Sequence, residues 1–164
     1  MKTALSSQQI WDLLGTIPDP EVPVISIVEL GVVRNVEVEE GGVVITMTPT
    51  YNGCPAMKMM EDDIRSALAG EGIQQVKIKM VFKPAWTTDW LSEASKQKLE
   101  AYGIAPPTEN TKSHLPFAGK ASVVNCPFCK SGQTKLTSQF GSTACKALYY
   151  CDSCHQPFEH FKCH

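Results

Sequence analysis

"TPTYNGCPAMKMM" runs from Thr48 to Met60 and contains Cys54, the one cysteine in the first 125 residues. Upstream, "VVITMTPTY" reads as a strand running into it. Downstream, Met57, Met60, Ile64 and Leu68 recur at helical spacing, with Glu61, Asp62, Asp63 and Arg65 on the opposite face. The stretch is therefore the corner between a strand and a helix, expected from Pro55 to about Ala69. Asn52-Gly53 supplies the tight turn. Pro55 suits the first helical turn, where a missing N–H costs nothing. Cys54 then stands at or beside the N-cap, facing free backbone N–H groups and the positive end of the helix dipole. Such a position favours a thiolate, the form that binds metals or attacks electrophiles. The alternative is a buried cysteine chosen for its size.

Working outward, Gly41-Gly42 joins the return strand "VVITMTPTY" to a preceding run, "IVELGVVRNVEVEE", where Val36 and Val38 alternate with Asn35, Glu37 and Glu39. That is a hairpin signal and predicts an antiparallel pair. Before it, Ser6 or Ser7 can cap a helix carrying Ile10, Leu13, Leu14 and Ile17. "IPDPEVPV" ends that helix, because Pro18, Pro20 and Pro23 leave no room for regular structure. Asp19 and Glu21 in this stiff loop could cap a helix, bind a cation, meet a basic partner or stand solvated. After Gly70 and Gly72, "QQVKIKMVF" is a third strand. A last helix is expected from a cap at Thr88 or Asp89 to about Tyr102, with Leu91, Ala94, Ala101 and Tyr102 on its apolar face. The predicted class is α+β: an αββαβα unit, residues 1–104, with a small mixed sheet covered by helices.

Residues 105–121 lack any period and read as a linker. Residues 122–164 are too few for a self-sufficient core. Composition shifts across this join. Residues 1–104 hold 9 Lys/Arg against 14 Asp/Glu, net −5; residues 105–164 hold 6 against 3, net +3. The chain's net charge is −2 with no clustered basic stripe, which argues against nucleic acid. No apolar run reaches the roughly 20 residues of a membrane span. Without a signal-peptide h-region the expected compartment is the cytoplasm, where cysteines stay reduced and metal or redox chemistry is their default.

Cys126-Pro-Phe-Cys129 and Cys151-Asp-Ser-Cys154 are two CxxC pairs with 21 residues between them. Two such turns aim four thiolates at one point, and tetrahedral sulfur suits zinc. With "KLTSQFGSTACKALYY" as a hairpin, the tail is a four-cysteine zinc ribbon at residues 122–164. A redox CPFC motif would leave the second pair unexplained, and iron in place of zinc stays open. Cys145 reads as a small buried strand residue or a partner-facing thiol. Cys163, His155, His160 and His164 close the chain.

Taken in order, "DPEVPV", "ELGVV", "TPTYNGCP" and "KPAWTTDWLSEASKQKLEAYGIAPP" resemble the SufT-like iron–sulfur assembly domain, over about residues 8–107. The ribbon, with "CPFC" and "FGSTACKALYYC", is similar to one branch of that family, the PaaD-like components of phenylacetyl-CoA epoxidases. The resemblance implies an accessory, non-catalytic protein of aerobic phenylacetate degradation. It would assist assembly or delivery of an iron–sulfur or iron centre. The implied partners are the diiron oxygenase and reductase subunits or iron–sulfur assembly proteins. Cys54 falls on the family's reactive cysteine, and Asp19 and Glu21 on its acidic loop. One thiolate supplies one ligand, which suits transient handoff or a site completed by a second protomer of a homodimer. A structural or regulatory subunit without metal transfer is the alternative. One departure concerns the knuckle glycine that often follows a CxxC: here it is Lys130 in one pair and His155 in the other.

Overall fold

The computed structural model describes residues 5–107 and 123–162. Most of the expected linker, together with Cys163 and His164, lies outside the described residues. Contacts divide the chain into two compact units, Met1–Trp86 and Thr87–His164.

The first unit begins with α1 (Ser7–Leu14), closed by a capping box in which Ser6 and Gln9 satisfy each other's backbone N–H groups. Ile10 and Leu14 are fully buried. The expected first strand starts later than its apolar run. Ser26 and Glu29 bond each other's backbone N–H groups, and Gly31 takes φ +81°, so residues 26–31 turn before β1 (Val33–Glu39) begins. β1 pairs antiparallel with β2 (Gly42–Met47). The two-residue turn is Glu40-Gly41, one residue earlier than expected, with Gly41 at φ +86°. Gly42 opens β2 itself, and a Cβ there would meet the Gln75 carbonyl oxygen at 2.6 Å.

α2 (Ala56–Gly70) carries the chain over to β3 (Gln75–Met80), which pairs parallel with β2. The mixed sheet has the order β1-β2-β3. Met57, Met60, Ile64 and Leu68 are all buried, as their spacing requires, and so are Val43, Ile45 and Met47 of β2. The buried Trp86 indole N–H donates to the Leu30 carbonyl at 2.9 Å and closes the unit.

In the second unit the last helix is shorter than expected. Thr87 caps a single 3-10 turn, Thr88–Trp90, and Leu91 is extended. Ser92 then caps α3 (Glu93–Ala101). The buried face of α3 is Ser95 and Leu99, while Ala94, Ala101 and Tyr102 are exposed. Next come β4 (Ile104–Ala105), β5 (Thr134–Ser138), β6 (Lys146–Cys151) and β7 (Pro157–Phe161), in the sheet order β4-β7-β6-β5. β5–β6 and β6–β7 are antiparallel, and β4 joins β7 in parallel. Residues 87–105, read from sequence largely with the first domain, thus group with the ribbon by contacts, because α3 packs on β4 and β4 pairs with β7.

His160 on β7 is buried, and its Nε2 has no hydrogen-bond partner among the described residues. Burial pushes its pKa down to about 4, assisted by the Lys162 ammonium and opposed by a hydrogen bond to the Pro106 carbonyl. An unfolded His takes up its proton near pH ~6.5. Between those values the unfolded chain binds the extra proton, so this contribution is complete above about pH 6.5 and is lost as pH falls toward 4. The expected loss is up to about 3 kcal/mol. His160→Gln should flatten the acid limb of a denaturation series relative to the parent. Equal slopes would contradict the assignment.

Candidate functional site

The four paired cysteines converge. The N–H of Cys126 donates to Ser131 O at 2.9 Å, and that of Lys130 returns to Cys126 O at 2.9 Å. The second turn repeats the pattern: Cys151 N–H to Gln156 O at 3.0 Å and His155 N–H to Cys151 O at 2.9 Å. Each turn presents both its thiols to the other turn. The knuckle positions adopt the left-handed conformation despite carrying side chains, Lys130 at φ 63° and His155 at φ 58°. That conformation costs a non-glycine residue roughly 1–2 kcal/mol.

Lys130 recovers part of this cost, since its Nζ bonds the Pro127 carbonyl at 3.0 Å and Glu100 at 2.7 Å. His155 makes a long 3.4 Å contact to the Tyr150 hydroxyl. The two glycine substitutions should therefore differ. His155→Gly is expected to stabilise the zinc-loaded protein by about 1 kcal/mol, and Lys130→Gly to be close to neutral. Chemical denaturation of both variants checks this, and a destabilised His155→Gly would refute it.

The sulfur geometry fits a tetrahedral ion. Zinc–sulfur bonds of ~2.3 Å imply edges of about 3.8 Å. The Cys126–Cys154 and Cys129–Cys151 edges are 3.7 and 3.5 Å, and all four Sγ atoms lie within 4.8 Å of one another. Cys126 and Cys151 are fully buried, Cys154 is half-buried and Cys129 is exposed. The thiols also polarise one another. The backbone N–H groups of Cys154 and Ser153 lead in lowering Cys151 to about 7, while burial and the adjacent thiols push Cys154 up to about 12. A divalent metal binds such a set as thiolates and would be held by all four cysteines. Val124, Ala105 and Phe158 pack with Cys126 and Cys151 in one buried cluster, so the centre is continuous with the core of its unit.

Cys54 is not a member of this group. Pro55 is the N-cap of α2, without a side-chain cap bond, and Cys54 is the residue before it. Its N–H donates to Tyr51 O at 3.3 Å, its carbonyl accepts from the Met57 N–H at 3.3 Å, and it is 8% exposed. Gly53, at φ +78°, makes the turn. Asp19 is buried. Its Oδ1 accepts from the N–H groups of Glu21 at 2.8 Å and Val22 at 2.6 Å, and its own N–H donates to Ile25 O. It therefore organises the DPEVPV loop from within, while Glu21 is half-buried on that loop. Among the described residues, the four paired cysteines are the one group of three or more His, Cys, Asp or Glu close enough to share a metal. Cys54, Asp19 and Glu21 are not brought into such a group.

Cys145 is buried, with the Thr143 hydroxyl 3.1 Å from its sulfur, outside the metal cluster. Sequence reasoning missed the pair Lys146–Glu159, 3.1 Å apart with Lys146 buried. The available signal was a lysine inside the apolar run "ACKALYY". It also missed the buried Thr48 hydroxyl, which has no partner among the described residues. No helix among the described residues is long and apolar enough to cross a membrane.

Two family models match the chain. One, described as iron-sulfur cluster assembly protein, covers residues 7–80; the other, the PaaD zinc beta ribbon domain, covers residues 110–162. The chain is 49% identical over 156 residues to a protein of Escherichia coli (strain K12) provisionally named as the D subunit of 1,2-phenylacetyl-CoA epoxidase, covering 94% of this chain and 92% of that one. An Fe-S protein maturation auxiliary factor of Porphyromonas gingivalis (strain ATCC BAA-308 / W83) is 36% identical over 57% of this chain and 90% of its own length. Among solved structures, a domain of unknown function, DUF59, from Bacillus anthracis matches 57% of this chain and 90% of its own, at 29% identity and a TM-score of 0.53.

Proposed function

This chain belongs to the PaaD-type family of phenylacetyl-CoA epoxidase subunits, in which an iron–sulfur assembly domain precedes a zinc beta ribbon, and on that premise we propose that it is an accessory maturation subunit of such an epoxidase system. Its task is to assist assembly or delivery of an iron–sulfur or iron centre to the oxygenase or reductase subunits. It does not itself catalyse the epoxidation. Cys54 is the iron-facing thiol, the Asp19–Glu21 loop is its acidic companion, and Cys126, Cys129, Cys151 and Cys154 hold a structural zinc. The iron or cluster is cargo, whereas the zinc is resident.

The observation that carries this reading is a separation of thiols. The stretch matched by the assembly family, residues 7–80, contains Cys54, Asp19 and Glu21 and none of the four clustered cysteines. A closed four-thiolate site suits a structural ion. A lone thiol beside a helix start offers one ligand, which suits a site that must also let go. A second reading, a fixed structural subunit without transfer, has the low exposure of Cys54 in its favour.

Cys54→Ser separates the two. The full chain carrying this change, made together with the oxygenase and reductase subunits, should fold and keep its zinc. Iron in the partner subunits and epoxidase turnover should both fall several-fold. Partners with full iron content would end the maturation reading and leave the structural one.

A further inference from the structure

We propose that the first CxxC turn is also a latch: with its metal bound, Phe128 and Lys130 hold residues 100–106 against the ribbon, and loss of the metal frees that segment. This goes beyond the maturation reading and does not depend on it, since it needs only a metal at the four cysteines.

The latch is built from residues lying between and just after the ligands. Lys130 occupies the left-handed knuckle position, and its Nζ reaches Glu100 near the end of α3 at 2.7 Å. Phe128, between Cys126 and Cys129, lays its ring against Gly103; a Cβ on that glycine would fall 3.2 and 3.3 Å from two ring carbons. Gly103 has φ +91°, so both its backbone and the ring above it exclude a side chain. Beyond it, Ile104 and Ala105 pair with Glu159 and His160 on β7, and Ala105 packs in the cluster that contains Cys126 and Cys151. β4 has two residues, too few to persist on its ladder bonds alone.

Phe128 and Lys130 point toward this segment because the turn is closed. Its closure is fixed by a metal bound to all four cysteines, which ties Cys126 and Cys129 to Cys151 and Cys154 across the two turns. Metal occupancy therefore decides whether Ile104 and Ala105, just after α3, stay paired in the ribbon sheet.

Hydrogen exchange of the full-length, zinc-loaded protein, read on peptides containing Ile104 and Ala105, tests the latch. Removing zinc with a chelator should speed exchange there roughly 10-fold or more. Phe128→Ala and Lys130→Ala should each speed it several-fold while retaining one zinc per chain. Unchanged exchange in the zinc-free protein would overturn the proposal. So would unchanged exchange in both variants with zinc still bound. If either variant loses zinc, Glu100→Gln, outside the turn, takes its place: faster exchange at Ile104–Ala105 supports the latch, and parental exchange overturns it.

Discussion

Replacing Cys151 by serine, or stripping the metal with a chelator, is expected to unfold residues 123–162 while α1, α2 and β1–β3 stay folded. Cys151 is fully buried, closes the second turn through two backbone hydrogen bonds and packs in the same cluster as Val124 and Phe158. The ribbon's other apolar residues are a short inventory, because units of this size bury too little surface to fold unaided. Structural zinc contributes on the order of 10 kcal/mol to comparable small domains. Without it, the metal bonds that tie Cys126 and Cys129 to Cys151 and Cys154 across the two turns are lost. The assembly unit has its own core in Ile10, Leu14, Ile45, Met60, Ile64 and Leu68, each at most 2% exposed. Its maturation-factor relative matches over 90% of its own length while covering 57% of this chain. Metal content near zero, together with exchange protection lost in the ribbon and at Ile104–Ala105 but kept in α1, α2 and β1–β3, is the expected pair of observations. A chelated protein that keeps protection in β5, β6 and β7 would show that the site is not structural.

Glu159→Ala is expected to cost about 3–5 kcal/mol in the zinc-loaded protein. Glu159 on β7 meets the Lys146 ammonium at 3.1 Å, and the Lys146 side chain is 6% exposed. The other carboxylate oxygen accepts the Ser142 N–H at 2.6 Å. Burial pushes the carboxyl pKa up, but the Ser142 bonds and the Lys146 charge outweigh it and hold the group below the usual carboxylate range. Removing the carboxylate takes the counter-charge from a buried cation and the acceptor from a loop N–H together. Lys146→Met should cost less, because the remaining carboxylate is partly exposed and keeps the Ser142 bond. Adding Lys146→Met to Glu159→Ala should recover part of the loss by removing the buried charge. Denaturation midpoints of the three proteins decide the matter. Equal losses in both single variants, or no recovery in the double, would mean that the pair is not coupled as described. Gly141 belongs to the same arrangement, since a Cβ there would sit 2.6 Å from the Glu159 carboxylate.

The elements legible in the sequence were those with local causes. The α2 face follows from the spacing of Met57, Met60, Ile64 and Leu68; the Gly41-Gly42 signal located the β1–β2 hairpin but set its turn one residue late, since the turn is Glu40-Gly41. The metal centre follows from two CxxC pairs and the length between them. The knuckles are the instructive case. Lys130 and His155 stand where glycine is usual, yet both turns close with positive φ. Backbone bonding to Cys126 and Cys151 offsets part of a strain of roughly 1–2 kcal/mol at each. Cys54 was placed within one residue of its position, though its burial was not legible.

By itself, then, the sequence determined the αββαβα order of the first 104 residues, the mixed character of the first sheet and the four cysteines that converge as a candidate metal centre. All of these rest on periods, turns and spacings within a few residues of each other. Tertiary structure alone decided that Asp19 turns inward to bind its own loop, that Lys146 is buried against Glu159, and that Ile104–Ala105 joins the ribbon sheet through β7. The physical reason is common to the three. Whether a charge is desolvated, or an extended segment finds an edge to pair with, depends on which distant residues arrive beside it, and local composition carries no record of that arrival.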